Sequence, residues 1–121
     1  MAAPPVIDPA TIKSLRTLNS GDNDDFLREI VALFGDDLKV RIAELEQSLA
    51  EGDKSKFERS AHSIKGSAAN LGAGMLKVSA ENLETRSQKS GLADVAPLIE
   101  ALKAEAARAQ AMLEQILASP Q

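Results

Sequence analysis

Between about residue 24 and residue 50, apolar side chains return at every third or fourth position. Phe26, Ile30, Leu33, Phe34, Leu38, Ile42, Leu45 and Leu49 make up this series. The spacing matches the 3.6-residue period of an α-helix and conflicts with the two-residue period of a strand. A helix this long with one apolar face must cover that face with other elements. Few segments elsewhere alternate with period two, so those elements are expected to be helices too. Asp24, Asp25 and Glu29 lie near the helix start, where the helix dipole favours acids. Gly35 is the weak point. Glycine costs about 1 kcal/mol relative to alanine in a helix interior, so a kink or a split is expected there.

The rest of the chain divides in the same way. Asp8 can cap a helix that begins with Pro9 at its first position and carries Ile12, Leu15 and Leu18. Asn19-Ser20-Gly21 ends it. Gly52-Asp53 forms a tight turn with Asp53 as the next cap. A third helix runs to about Leu71 on the stripe Phe57, Ala61, Ile64, Ala68 and Leu71. Gly72 and Gly74 allow a sharp change of direction. Met75 to Lys89 form a fourth helix, with Leu76, Ala80 and Leu83 on one face, closed by Ser90-Gly91. The last starts near Asp94, tolerates Pro97 in its first turn and continues to about Leu117. Its seam is Leu98, Leu102, Ala106, Ala109, Leu113 and Ile116 or Leu117. Short turns between the long segments make neighbours antiparallel. The expected fold is all-α: an antiparallel up-down-up-down four-helix bundle, with the short N-terminal helix covering one end. Residues 1–7 are expected to be a flexible lead, 8–118 the bundle, and 119–121 a tail.

Composition narrows the function. A chain of 121 residues implies one domain. Aromatics are 2%, with no Trp or Tyr, so the core must be aliphatic with three Phe. There are no cysteines, which removes disulfides, thiolate metal sites and thiol nucleophiles. One histidine without cysteine makes a metal site improbable. The net charge of −4 and the shortage of stacking side chains argue against a nucleic-acid partner. No apolar run reaches membrane-spanning length, and no basic segment followed by an apolar run marks a signal peptide. A cytoplasmic monomer that needs no cofactor and does not insert into a membrane is expected.

His62 is the only histidine. It sits on the third helix, roughly 140° from the centre of the apolar stripe, so its imidazole should face solvent. Its helical neighbours are Ser55, Glu58 and Arg59 before it, and Lys65, Gly66 and Ala69 after it. Ser55, Gly66 and Ala69 are small and leave the ring standing above a low surface. Glycine inside a helix needs a reason, and clearance for a large partner is one. Close helix packing is the alternative, but Gly66 points away from the stripe. Lys65 supplies an ammonium able to stabilise a phosphoryl group on the ring. Glu81 and Glu84 read as solvated helix-face charges. A lone surface histidine is most often an ordinary surface residue, and only this neighbourhood raises His62 above that reading.

The run His62-Ser63-Ile64-Lys65-Gly66, followed by Leu71-Gly72, Leu76 and Leu83-Glu84, resembles the histidine-containing phosphotransfer (HPt) domain family. Phe26-Leu27, Phe34 and the stretch from Leu45 to Gly52-Asp53 also fit, so the resemblance covers roughly residues 24–88. It departs mildly where the family often has Cys, near Ser79-Ala80, and only a packing difference is expected. The resemblance implies a phosphoryl carrier with no kinase or ATPase activity of its own. His62 would accept a phosphoryl group from the aspartyl phosphate of one response-regulator receiver domain and pass it to the aspartate of another, with a hybrid sensor histidine kinase upstream. Lys65 and Gly66 would support it, and magnesium would belong to the receiver. Ser55, Arg59 and Ala69 are candidate partner contacts. Leu27 and Val31, just off the apolar stripe of the long helix, either join them or widen the core. Two other readings stand beside this one. One is the phosphotransfer domain of a chemotaxis-type histidine kinase, phosphorylated from ATP by a separate domain. The other is a helical adaptor whose histidine is unused.

Overall fold

A computed structural model of the chain describes residues 3–18 and 24–119. Five helices account for it: α1 (Pro9–Thr17), α2 (Asp25–Glu51), α3 (Lys54–Asn70), α4 (Gly74–Ser90) and α5 (Ala96–Ala118). There is no strand among the described residues. α2 packs against α3 and α5, α4 packs against the same two, and α1 lies on α2.

The ends of the helices follow from local chemistry. The Asp8 carboxylate accepts the Ala10 N–H at 3.0 Å, with Pro9 opening α1. The Asp53 carboxylate accepts the Lys56 N–H at 3.0 Å at the start of α3. Gly52 closes α2 in the left-handed region, φ 71°. Gly72 has φ 71° as well, and an added Cβ there would come within 2.8 Å of the Thr11 side chain. Its carbonyl accepts the Asp8 N–H at 2.8 Å. The turn between α3 and α4 is therefore held by the N-terminal segment. Residues 5–7, expected in a flexible lead, take part in this: the Pro5 carbonyl accepts the Met75 N–H at 3.1 Å, and Ile7 is buried.

α2 stays helical through Gly35. A Cβ at Gly35 would meet Gln110 Nε2 of α5 at 2.6 Å, so the glycine leaves room for the end of that side chain. Packing against α5 offsets the intrinsic cost that the sequence predicts as a kink.

The core is aliphatic. All five stripe residues of α3 are buried, as are Leu76, Ala80 and Leu83 of α4. Three stripes differ from expectation, and on the first helix Leu18 falls at the C-cap and is 68% exposed. On α5, Ile99 is buried and Leu98 only partly so, a rotation of one residue at the first turn. On α2, the buried set is Leu27, Val31, Phe34, Leu38 and Leu45, while Phe26, Leu33 and Val40 are exposed. Phe26, Ile30, Leu33 and Val40 form a second apolar stripe displaced by one residue, about 100° around the helix, and tertiary packing selects the other. The Arg16 guanidinium grips Asp24 at 2.7 Å and donates to the Ile116 carbonyl at 3.2 Å, tying α1, α2 and α5 together. Among the described residues, no helix is long and apolar enough to cross a membrane.

Candidate functional site

The stripe that buries Phe57, Ala61 and Ile64 turns His62 outward, and 67% of its side chain is exposed. α4 supplies the partner. His62 Nδ1 lies 3.1 Å from Glu84 Oε2. A carboxylate only accepts, so Nδ1 carries the hydrogen. In the neutral ring the free lone pair is then on Nε2. The ring is thus held in one tautomer and one orientation, with its nucleophilic nitrogen turned away from α4.

Glu84 is the residue that sequence reasoning misread as a solvated charge. Its side chain is only 17% exposed, and its other oxygen binds Lys65 Nζ at 2.9 Å. Burial pushes its carboxyl upward, but the hydrogen bonds and charges of Lys65 and His62 outweigh this and hold it below the usual carboxylate range. Its signal in the sequence was its place: it follows the buried Leu83 and stands one turn from the buried Ala80, at the flank of a core stripe. Which flank faces α3 depends on how the helices pair.

The Lys65 ammonium, expected to stabilise a phosphoryl group on the ring, is turned to Glu84 instead. It is mostly covered and bound to Glu84. Gly66 is exposed, and a Cβ placed on it would meet nothing within 4 Å. Close helix packing therefore does not explain this glycine, and the space beside the histidine is open. Ser55, Glu58 and Arg59 join His62 and Glu84 around a surface cleft of about 550 Å³. Ala69 is exposed two turns further along α3 and does not line this cleft.

Leu27 and Val31 are not partner contacts. They are 1% and 7% exposed and belong to the core, because the bundle turns their stripe of α2 inward. The exposed apolar side chains of α2 are Leu33 at 62% and Val40 at 54%, with Phe26 at the margin. Leu33 and Ile30 adjoin Ser67 and Asn70 of α3 across a shallow groove, and Ser67 donates to Asp37 at 3.2 Å. No group of three or more His, Asp or Glu among the described residues could hold a metal ion.

Comparison with known proteins agrees with this arrangement. The Hpt domain family matches residues 29–118, most of the chain. The chain therefore belongs to the Hpt domain family, the histidine phosphotransfer proteins of phosphorelays. Histidine-containing phosphotransfer protein B (HptB) of Pseudomonas aeruginosa PAO1 is similar over nearly its whole length. It has 26% identity and a TM-score of 0.84, covering 97% of this chain and 98% of that one. The HPT domain of an Hpt sensor hybrid histidine kinase from Shewanella matches at 16% identity and a TM-score of 0.69, covering 91% and 88% of the two chains. A histidine-containing phosphotransfer protein of Medicago truncatula matches at 20% and 0.73, covering 91% and 80%. These last two likenesses show the fold alone. No curated protein matches the sequence.

Proposed function

We propose that His62 is the phosphoryl carrier of a multistep relay, accepting from one receiver aspartate and donating to another. The observation that carries this is the His62–Glu84 contact: it leaves Nε2 of an exposed ring as the free nucleophile. In the forward step the Nε2 lone pair attacks the phosphorus of an aspartyl phosphate. The N–P bond forms as the P–O bond to the receiver carboxylate breaks, and that carboxylate leaves with the electron pair. The Nδ1 hydrogen stays in place, and the positive charge gained by the ring is balanced by Glu84. The reverse step regenerates the neutral ring. Such transfers depend mainly on positioning and charge stabilisation, so a carrier needs few groups of its own. Lys65 holds Glu84 in place, and Gly66 keeps the approach open.

The packing order, with α3 and α5 each touching both α2 and α4, supports an antiparallel four-helix bundle behind the site. A receiver would dock over α3 and the neighbouring stripe of α2, using the exposed Leu33 and Val40 and the partly buried Ile30, with Ser55, Arg59 and Ala69 of α3. A receiver relay and an ATP-driven chemotaxis-type kinase share this chemistry at His62. Transfer from a radiolabelled phospho-receiver separates them. Label should pass to this chain without nucleotide, and from it to a second receiver. A chain that takes label only from an ATP-binding kinase domain would overturn the relay.

A further inference from the structure

The two basic neighbours of His62 on α3 have different circumstances. Taking His62 as the origin, Arg59 and Lys65 lie about 60° to either side of it around the helix. Lys65 and Glu58 share the flank that faces α4: Lys65 binds Glu84, and Glu58 accepts from Ser87 Oγ at 2.7 Å. Arg59 lies on the other flank, with Gly66. Nδ1 faces Glu84 of α4, which leaves Nε2 on the side of the ring away from that contact.

The charges differ as well. The Lys65 ammonium is already engaged by the Glu84 carboxylate, at 2.9 Å. Arg59 is exposed, and among the described residues no hydrogen bond or ion pair engages its guanidinium. The neighbouring bases on its flank are already committed: Arg41 binds Asp37 and Glu44, and Lys56 binds Glu51 and Gln47. Arg59 is also the only lysine or arginine lining the cleft that contains His62, and Lys65 does not line it.

From this placement we infer that Arg59, rather than Lys65, is the cation that contacts the phosphoryl group as it moves on and off Nε2. This rests on His62 being the acceptor. A guanidinium presents a planar fork of N–H donors matched to phosphoryl oxygens. In the transfer, two phosphoryl oxygens accept from Arg59 while the Nε2–P bond forms and the bond to the leaving group breaks. Lys65 acts through Glu84, holding the carboxylate that sets the tautomer. It is a positioning residue.

Phosphoramidate tests this without a receiver. It is a small donor in which Nε2 attacks phosphorus, the P–N bond breaks, and ammonia leaves. Because no docking surface is involved, a role confined to partner binding is invisible in this assay. The full chain and its Arg59→Ala, Arg59→Lys, Lys65→Ala and His62→Gln variants are compared by the rate at which phosphohistidine accumulates and by thermal melting. Arg59→Ala should slow phosphorylation about ten- to hundredfold with an unchanged melt. Arg59→Lys should recover part of the rate, and Lys65→Ala should lose less than Arg59→Ala. Arg59→Ala labelled at the wild-type rate on His62 would overturn the assignment while leaving His62 as the acceptor. A wild-type chain that takes no label, or a His62→Gln variant that does, would instead overturn the reading on which it rests.

Discussion

α3 and α2 lie side by side, yet they carry their information differently. α3 has a single apolar stripe, wholly buried, and a polar face that holds His62, Lys65 and Gly66. α2 has two apolar stripes one residue apart, of which the bundle buries one and leaves the other largely exposed. A helix with one stripe has only one way to sit, and so the direction of its histidine was readable. A helix with two has an ambiguity that propensity cannot resolve, because both solutions satisfy the same three-four spacing. The surplus stripe adds little to stability, and under the proposed relay it is the apolar surface that a receiver would meet.

The sharpest way to break this comparison is to truncate one residue from each α2 stripe. Leu27→Ala, in the buried stripe, should cost about 2–5 kcal/mol in denaturant unfolding. Leu33→Ala should change stability by less than about 0.5 kcal/mol and instead shift the half-saturating receiver concentration in transfer assays. Equal destabilisation by both would erase the distinction between the stripes. On the open face of α3, Gly66→Leu should slow transfer from a receiver on the order of a hundredfold by misplacing the incoming group. Its melt should not fall, because leucine favours helix over glycine by nearly 1 kcal/mol. A normal melt with wild-type transfer would remove the role of clearance.

Smaller effects sharpen the site itself. Glu84→Ala should slow phosphorylation of His62 by roughly tenfold, and Glu84→Gln by less, since an amide oxygen can still accept from Nδ1. The same carboxylate makes a pH-dependent contribution to stability. Its folded pKa is depressed, so the contribution is fully present above the ordinary carboxylate range and is lost as pH falls through the depressed folded value. The gap between the melts of wild type and Glu84→Gln should therefore narrow on acidification; a gap that widens would contradict the pairing. Lys65→Ala should be mildest. A single ion pair of this kind is worth about 0–1 kcal/mol, so the phosphoryl equilibrium should move by less than about tenfold.

Much of the molecule could be read before its structure. The caps at Asp8 and Asp53, the turns at Gly52 and Gly72, the core of α3 and the outward His62 all follow from local rules, in which a side chain meets its own backbone or a period of 3.6. What could not be read depends on which helix faces which. Glu84 became a partner of His62 only because α4 presents that flank to α3. Gly35 stayed helical within a segment that packs on α5, with the end of the Gln110 side chain lying over it. The exposed apolar stripe of α2 was displaced by one residue because the bundle chose between two equivalent faces. The family resemblance included Leu83-Glu84, but spacing alone assigned the glutamate no task.

The central claim is that a single imidazole carries the phosphoryl group. It is tested most directly by incubating wild type and His62→Gln with a radiolabelled phospho-receiver and counting the label bound per chain after acid and after base. Wild type should take at most one equivalent, lost in acid and kept in base, and His62→Gln should take none. Acid-labile label on the His62→Gln chain, or none on wild type, would contradict the account.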